Sequence, residues 1–466
     1  DWSPSYTDIL RILDKEPELR NINSGHPRNE RFYEGLADEP IYKRSFTTSQ
    51  KLFKRAEKII PFAAQTFSKS HLQFPPESSP LFLSHGDGAY TYDVDGNDYV
   101  DLVGALLPNV LGYRDPDVDA AIRRQLNSGI SFSLATELES QLAERLIKHI
   151  PCAEMVKFGK NGSDVTAAAV RLARAATGKK EIMLCGYHGW HDWSIGTTER
   201  SLGVPSDSIL LSHKFSTASE AEDLLRHHHI AAVIVEPDQY NGDLQGLQEA
   251  ARQFAAVFIF DEIITGFRWS LGGYQKHCGI TPDLACFGKA MGNGMPISAL
   301  VGHTNLMKRM QPPDNIFYSG TFFGETLSIA AAIATIDKLE RENVISYLWS
   351  QANYLETEAQ KLINQYGLAR AIKLGKPPLC RIEFLDHRGA TKEQIKTLFT
   401  REMITSGVLI IASHNLSFAH KEPEIRRILK AYDHTLGVIR NALERGDIVQ
   451  QIGDNVIPIR ASVRHG

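Results

Sequence analysis

Short apolar runs alternate with stretches of helical periodicity from about Pro151 onward: Met155 to Phe158, Ile182 to Cys185, Ala231 to Val235, Val257 to Phe260 and Leu284 to Phe287. Such alternation predicts a largely parallel sheet covered by helices on both faces, with ligands gathering at the carboxyl ends of the strands. Between Ser84 and Leu102, alternating residues surround Asp95-Gly96, a pair suited to a hairpin turn, and this predicts a small antiparallel element. After about Thr335 long helical patterns dominate; Pro377 and Pro378 break them, and Cys380 to Phe384 reads as a strand of a separate, smaller unit. Residues up to about Gln50 are polar, are punctuated by Pro17, Pro27 and Pro40, and read as an arm or linker.

Length and composition narrow the class. A chain of 466 residues exceeds a single minimal core, and 42% apolar with 23% charged residues is ordinary for a globular protein. A formal net charge of -4, with both signs mixed, argues against a nucleic-acid partner. Five scattered cysteines, Cys152, Cys185, Cys278, Cys286 and Cys380, fit reduced thiols in a cytoplasmic setting. No apolar run reaches the roughly 20 residues of a membrane span, and the first residues, Asp1-Trp2-Ser3-Pro4, do not read as a signal peptide.

Three strand ends carry candidate chemistry. Val257 to Phe260 leads into Asp261-Glu262-Ile263-Ile264-Thr265-Gly266, which sets a carboxylate where a buried strand opens onto the binding face. A protonated pyridine nitrogen would suit Asp261; alone, it reads equally as a helix cap or an ion-pair partner. Leu284 to Phe287 runs into Gly288-Lys289-Ala290, placing an amine capable of Schiff-base chemistry at the same edge, although a lone lysine is more often a surface charge. Phe158-Gly159-Lys160-Asn161-Gly162-Ser163-Asp164 precedes a helical pattern and reads either as a phosphate site or as a simple Ser163 cap. Tyr187-His188-Gly189-Trp190 offers an aromatic ring at the same edge, with buried packing as the competing account.

Two other features lead away from this site. Asp93, Asp95 and Asn97 mimic the start of a calcium loop, but Gly104 stands where a bidentate Glu is required. His227-His228-His229 reads as a solvated helix end, and no metal is assigned.

In this order the pieces resemble the class III, or subgroup II, aminotransferases of fold type I. The likeness runs from about Lys51 to the end and is most specific at Asp261 to Arg268, Thr281-Pro282-Asp283-Leu284 and Phe287-Gly288-Lys289. Asp93 to Asn97, Tyr99-Val100-Asp101 and Glu236-Pro237 support it. The resemblance implies an α/β chain that binds pyridoxal 5'-phosphate (PLP), with a mostly parallel seven-stranded sheet in a large domain and a smaller α+β domain. The corresponding division is an arm over 1–50, part of the small domain over 51–113, the PLP-binding domain over 114–340, and the rest of the small domain over 341–466.

It further implies that Lys289 holds the cofactor as a Schiff base, Asp261 faces the ring nitrogen, Ile263 and Tyr187 cover opposite ring faces, and Gly162 with Ser163 cradles the phosphate. His188 and Glu236 sit on family motifs near the cofactor. Thr321, in Ser319-Gly320-Thr321-Phe322, would reach the phosphate of a neighbouring subunit, which implies a homodimer with shared sites.

Within the family, the N-terminal half most resembles the glutamate-1-semialdehyde aminomutases. Where those carry a substrate-binding Ser and Arg, this chain has Thr66-Phe67-Ser68-Lys69, leaving Thr66 and Lys69 as substrate candidates. Lysine lacks the planar fork with which arginine grips a carboxylate. Gly324-Glu325-Thr326 and Asn161-Gly162-Ser163 are further departures, similar to members acting in polysaccharide and specialised metabolism. Ile9 to Asn23 resembles the end of a sugar nucleotidyltransferase, which implies a fused N-terminal domain and a sugar- or nucleotide-linked small-molecule substrate. The leading expectation is an aminotransferase; the alternatives are a decarboxylase, a 2,1-aminomutase or a PLP-binding scaffold without turnover.

Overall fold

The computed structural model describes residues 44–75, 77–453 and 456–458. The proposed arm up to Gln50 therefore lies mostly outside the described residues, as does the whole Ile9 to Asn23 segment.

Strands β1 (Leu83–Asp87), β2 (Tyr90–Asp93) and β3 (Asp98–Asp101) form the expected antiparallel element. The turn between β2 and β3 is held by Asp93, whose Oδ1 accepts from the amides of Asp95 at 2.9 Å and Asn97 at 2.8 Å. Asp95 in turn accepts from the Thr48 and Ser49 amides. These carboxylates therefore serve the turn and the helix Thr47–Ala56 beside it.

The main sheet contains β4 (Met155–Gly159), β5 (Glu181–Cys185), β6 (Ser212–Lys214), β7 (Ile230–Val235), β8 (Val257–Glu262), β9 (Leu284–Phe287) and β10 (Ser298–Gly302). Their spatial order is β4-β10-β9-β8-β7-β5-β6. Only β10 runs against its neighbours. All six residues of β7 are buried, as expected of a strand covered on both faces. The helix Gly162–Thr177 lays Val165, Ala168, Ala169, Leu172 and Ala173 on the sheet, a 3-4 spacing that puts one face inward.

The C-terminal part holds the helices Val344–Gln365, Lys392–Thr405 and Glu422–Arg445, with β11 (Ile372–Leu374), β12 (Cys380–Phe384), β13 (Val408–Leu409) and β14 (Ser413–His414). β13 pairs in parallel with β3, so chain segments some 300 residues apart close one small sheet. Arg268, fully buried, donates to the carbonyls of Leu416 and Leu107 and ties the segment after β8 to both halves of that region. No helix among the described residues is long and apolar enough to cross a membrane.

One buried group couples this packing to pH. His414 lies 2.6 Å from the Tyr432 hydroxyl through Nε2, and burial pushes its pKa from 6.5 down to about 4. Because the folded pKa is depressed, the stabilising contribution is present above pH 6.5 and is lost as the pH falls towards about 4. Urea titrations should show His414→Gln losing less stability than the wild type between pH 6.5 and 5, by about 2 kcal/mol at ~1.4 kcal/mol per pH unit. Equal losses in the two proteins would remove His414 as the cause.

Candidate active site

Two adjacent parallel strands bring the amine and the carboxylate together. In the β8–β9 pairing, Asp261 is opposite Cys286 and Glu262 opposite Phe287, so Lys289 follows two residues beyond the paired end. The chain turns there through Lys289–Gly292, with Lys289 at φ 43. A left-handed lysine costs about 1 kcal/mol or more, which the surrounding packing must offset.

Alternation along β8 sends its two terminal carboxylates to opposite faces. Glu262 accepts from Thr265 Oγ1 at 2.5 Å and from the amides of Tyr274 at 2.6 Å and Gln275 at 3.0 Å, and so anchors the helix Gly273–Cys278. Burial raises its pKa to about 7. Asp261 instead accepts from His188 Nδ1 at 2.8 Å and from the Ile263 amide at 3.1 Å. With Nδ1 donating to a carboxylate, His188 Nε2 is left buried without a hydrogen-bond partner among the described residues. His188 is held by Thr166, whose hydroxyl donates to its carbonyl at 2.8 Å, and it stacks near Trp193.

Ile263 joins three segments. A β-carbon at Gly162 would meet its side chain at 3.2 Å, and one at Gly288 would meet it at 3.1 Å. The start of the helix Gly162–Thr177, the end of β8 and the turn carrying Lys289 therefore converge on one isoleucine. From the fourth side, Gly189 has φ 107, and a β-carbon there would lie 2.2 Å from Ser163 Oγ. That contact brings the Tyr187–Trp190 segment against the helix start, where the Trp190 amide donates to Ser163 Oγ at 3.3 Å. Glu236, at the end of β7, accepts from the Tyr187 amide at 2.9 Å and sets the backbone that carries the aromatic ring.

Lys289, Asp261, Ile263, Gly162, Ser163, Tyr187, His188 and Glu236 thus gather along the carboxyl ends of neighbouring strands. The other sequence candidates lie on different segments. Thr321 is exposed. Thr66 precedes the turn Phe67–Lys69 and accepts from the Lys69 amide through its backbone carbonyl at 2.9 Å; the turn is braced by Arg200 lying 4.0 Å over the Phe67 ring. Lys69 places its charge near the buried Asp101 carboxylate.

One arrangement beside the site was not visible in the sequence. Lys160, two residues before Gly162, pairs with Glu325 at 2.6 Å, and both side chains are largely buried. Glu325 also accepts from the Leu327 and Ser328 amides and caps the helix Thr326–Arg341. Burial works against its charge, but the Lys160 and Ser328 hydrogen bonds outweigh it and hold the carboxyl below its usual range. The unusual Gly324-Glu325-Thr326 was the available signal; its partner, 165 positions away, was not legible.

Comparison with known proteins places this geometry. A family model described as aminotransferase class-III matches residues 74–425. The chain is 33% identical over 419 residues to a 3-aminobutyryl-CoA aminotransferase of Cloacimonas acidaminovorans, covering 86% of this chain and 99% of that protein. It is also 33% identical over 429 residues to a glutamate-1-semialdehyde 2,1-aminomutase of Pelotomaculum thermopropionicum, covering 84% and 98%. Among solved structures, the PLP internal aldimine form of the FumI protein from Sphingopyxis sp. MTA144 superposes with a TM-score of 0.77 at 28% identity, covering 85% of this chain and 98% of that one.

Proposed function

This chain belongs to the class-III aminotransferase family and is a PLP-dependent enzyme of fold type I, and from that premise we propose the role of each residue at the strand ends. The residues present fit the cofactor. A buried carboxylate ends one strand and an amine follows the end of the neighbouring strand, a helix start offers first-turn amides that have no partner within the helix, and Ile263 packs where the helix start and the lysine turn meet. When bound, PLP supplies the electron sink that lets an amine nitrogen leave one carbon and be passed to another.

Lys289 Nζ holds the cofactor and carries the proton between the two carbons concerned. Asp261 presents negative charge to the ring nitrogen, and His188 fixes the direction of that carboxylate. Ile263 and Tyr187 confine the ring from its two faces, with Glu236 holding the Tyr187 backbone. Gly162 and Ser163 direct amides and a hydroxyl at the phosphate. The division at 51–113, 114–340 and 341–466 is the frame we propose around this site.

Transamination is favoured over 2,1-isomerisation by one observation. The segment that would grip a substrate carboxylate carries Lys69 in place of a forked arginine. Following the similar 3-aminobutyryl-CoA aminotransferase, we take amines on the carbon β to an acyl group as the first donors to test. A sugar- or nucleotide-linked carbonyl remains the acceptor class that the sequence suggested. With a donor and no acceptor, transamination gives keto product in an amount equal to the active sites and then stops. An isomer of unchanged mass formed over many turnovers, or carbon dioxide release, would replace this reading.

A homodimer is proposed on exposed apolar side chains, Ile130, Phe132, Leu134 and Phe322, on two segments that Thr326 joins by donating to the Gly129 and Ile130 carbonyls. Thr321 stands exposed within the second segment, and the proposed role is to serve a neighbour's phosphate. Sedimentation of the holoenzyme should give twice the chain mass, and Thr321→Ala should weaken cofactor retention about 10-fold, in line with ~1.4 kcal/mol for a lost polar contact. A monomeric holoenzyme with full activity would exclude shared sites.

A further inference from the structure

At the opposite end of the main sheet from the cofactor group, three potential ligands converge. Glu181 opens β5, His213 is the middle residue of the edge strand β6, and His228 follows the helix Ala218–His227. His213 Nε2 and His228 Nδ1 each lie 2.7 Å from the same oxygen, Glu181 Oε2. The two imidazole centroids are 4.1 Å apart. The three ligand atoms all fall within 4.8 Å of one another. Of the three consecutive histidines, His227 sits at an exposed helix end as its sequence suggested, but His228 is turned back onto the sheet.

We propose that Glu181, His213 and His228 form a binding site for a zinc-class divalent cation. Two imidazole nitrogens and one carboxylate oxygen form a ligand set suited to Zn²⁺ and its borderline neighbours, rather than to Mg²⁺ or Ca²⁺. As they stand, each ring directs an N–H at one shared oxygen. A divalent cation takes the place of those two N–H protons: each neutral ring gives up its proton on the side of the cation and takes one up from solvent at its other nitrogen, so both imidazoles stay neutral and the charge of the site rises by that of the cation. Tetrahedral ligands at about 2.0–2.1 Å from zinc stand about 3.3 Å apart, so the contacts at 2.7 Å need open by well under 1 Å.

Backbone pairing positions the three residues. In the β5–β6 register Ile182 is opposite Ser212 and Met183 opposite His213, while Glu181 also pairs with Ile230, two residues past His228. The His229 amide approaches the second Glu181 oxygen at 3.4 Å and orients the carboxylate. His228 is 37% exposed, leaving a solvent side for water as the fourth ligand. The bound cation would staple the short edge strand and the preceding helix to β5. It is remote from the carboxyl ends of the strands and independent of the cofactor assignment.

The test uses the PLP-loaded enzyme, stripped with a chelator and re-equilibrated with micromolar Zn²⁺. The wild type should retain one zinc per chain beyond any held by a His213→Gln/His228→Gln variant, and zinc should raise its Tm by a few degrees. Co²⁺ in its place should give the visible absorption of a four-coordinate site. His228→Gln, a change at a partly exposed position, should weaken zinc binding at least 10-fold while leaving turnover unchanged. It carries the test if loss of His213 disturbs folding. Absence of stoichiometric zinc in the wild type, or equal zinc affinity in His228→Gln, would show that the cluster is a hydrogen-bonded clasp and overturn the proposal.

Discussion

Lys289→Ala should lower turnover by about 10⁴-fold or more, the largest effect expected of any single change in this protein. On the proposed assignment two contributions vanish together: the amine that binds the cofactor covalently, and the base that moves the proton between carbons. The expectation rests on position. Lys289 lies two residues beyond the paired end of β9, beside β8, whose last two residues are Asp261 and Glu262, and it is partly buried. After borohydride treatment and denaturation, the wild type should carry cofactor on the Lys289 peptide and the variant should carry none. Small primary amines added to Lys289→Ala should restore part of the proton transfer, which a purely structural lesion would not permit. Turnover within 10-fold of wild type would place the reactive amine elsewhere.

Asp261→Asn should reduce turnover by roughly 10³-fold while leaving the fold intact, an electrostatic effect of about 4 kcal/mol. His188 Nδ1 is 2.8 Å from one Asp261 oxygen and the Ile263 amide donates to the other at 3.1 Å, so the single oxygen of asparagine keeps the His188 bond and gives up only the longer contact to the Ile263 amide. What disappears is the negative charge proposed to face the ring nitrogen. Asp261→Ala should behave differently. It leaves both nitrogens of the buried His188 without partners and should also cost about 1–3 kcal/mol of stability. Comparing Tm and turnover in the two variants separates charge from scaffolding. If Asp261→Asn turns over at close to the wild-type rate, the carboxylate is a structural partner of His188 and nothing more.

The large-sheet strands were legible because their signal is local. Met155 to Phe158, Ile182 to Cys185, Ala231 to Val235, Val257 to Phe260 and Leu284 to Phe287 all lie within strands of the main sheet. β6 escaped notice because three residues, Ser212–Lys214, are too short and polar to show a period. β10 escaped for another reason: its direction, against both neighbours, is set by the path of the chain and not by composition. The phosphate-type segment and its helix were readable from Gly162 and Ser163, and the structure adds that Ile263 and Gly288 close on the same point.

By itself, then, the amino-acid order determined which strands end in an acid and which in an amine, since a run of buried residues followed by a polar group is written within ten positions. Only the tertiary structure decided which groups meet. His188 reaches Asp261 across 73 positions, Lys160 reaches Glu325 across 165, and Glu181 gathers His213 and His228 from 32 and 47 positions away. Burial leaves a periodic imprint along the chain; a hydrogen bond between distant polar side chains leaves none, because it exists only once strand order and register have placed both partners.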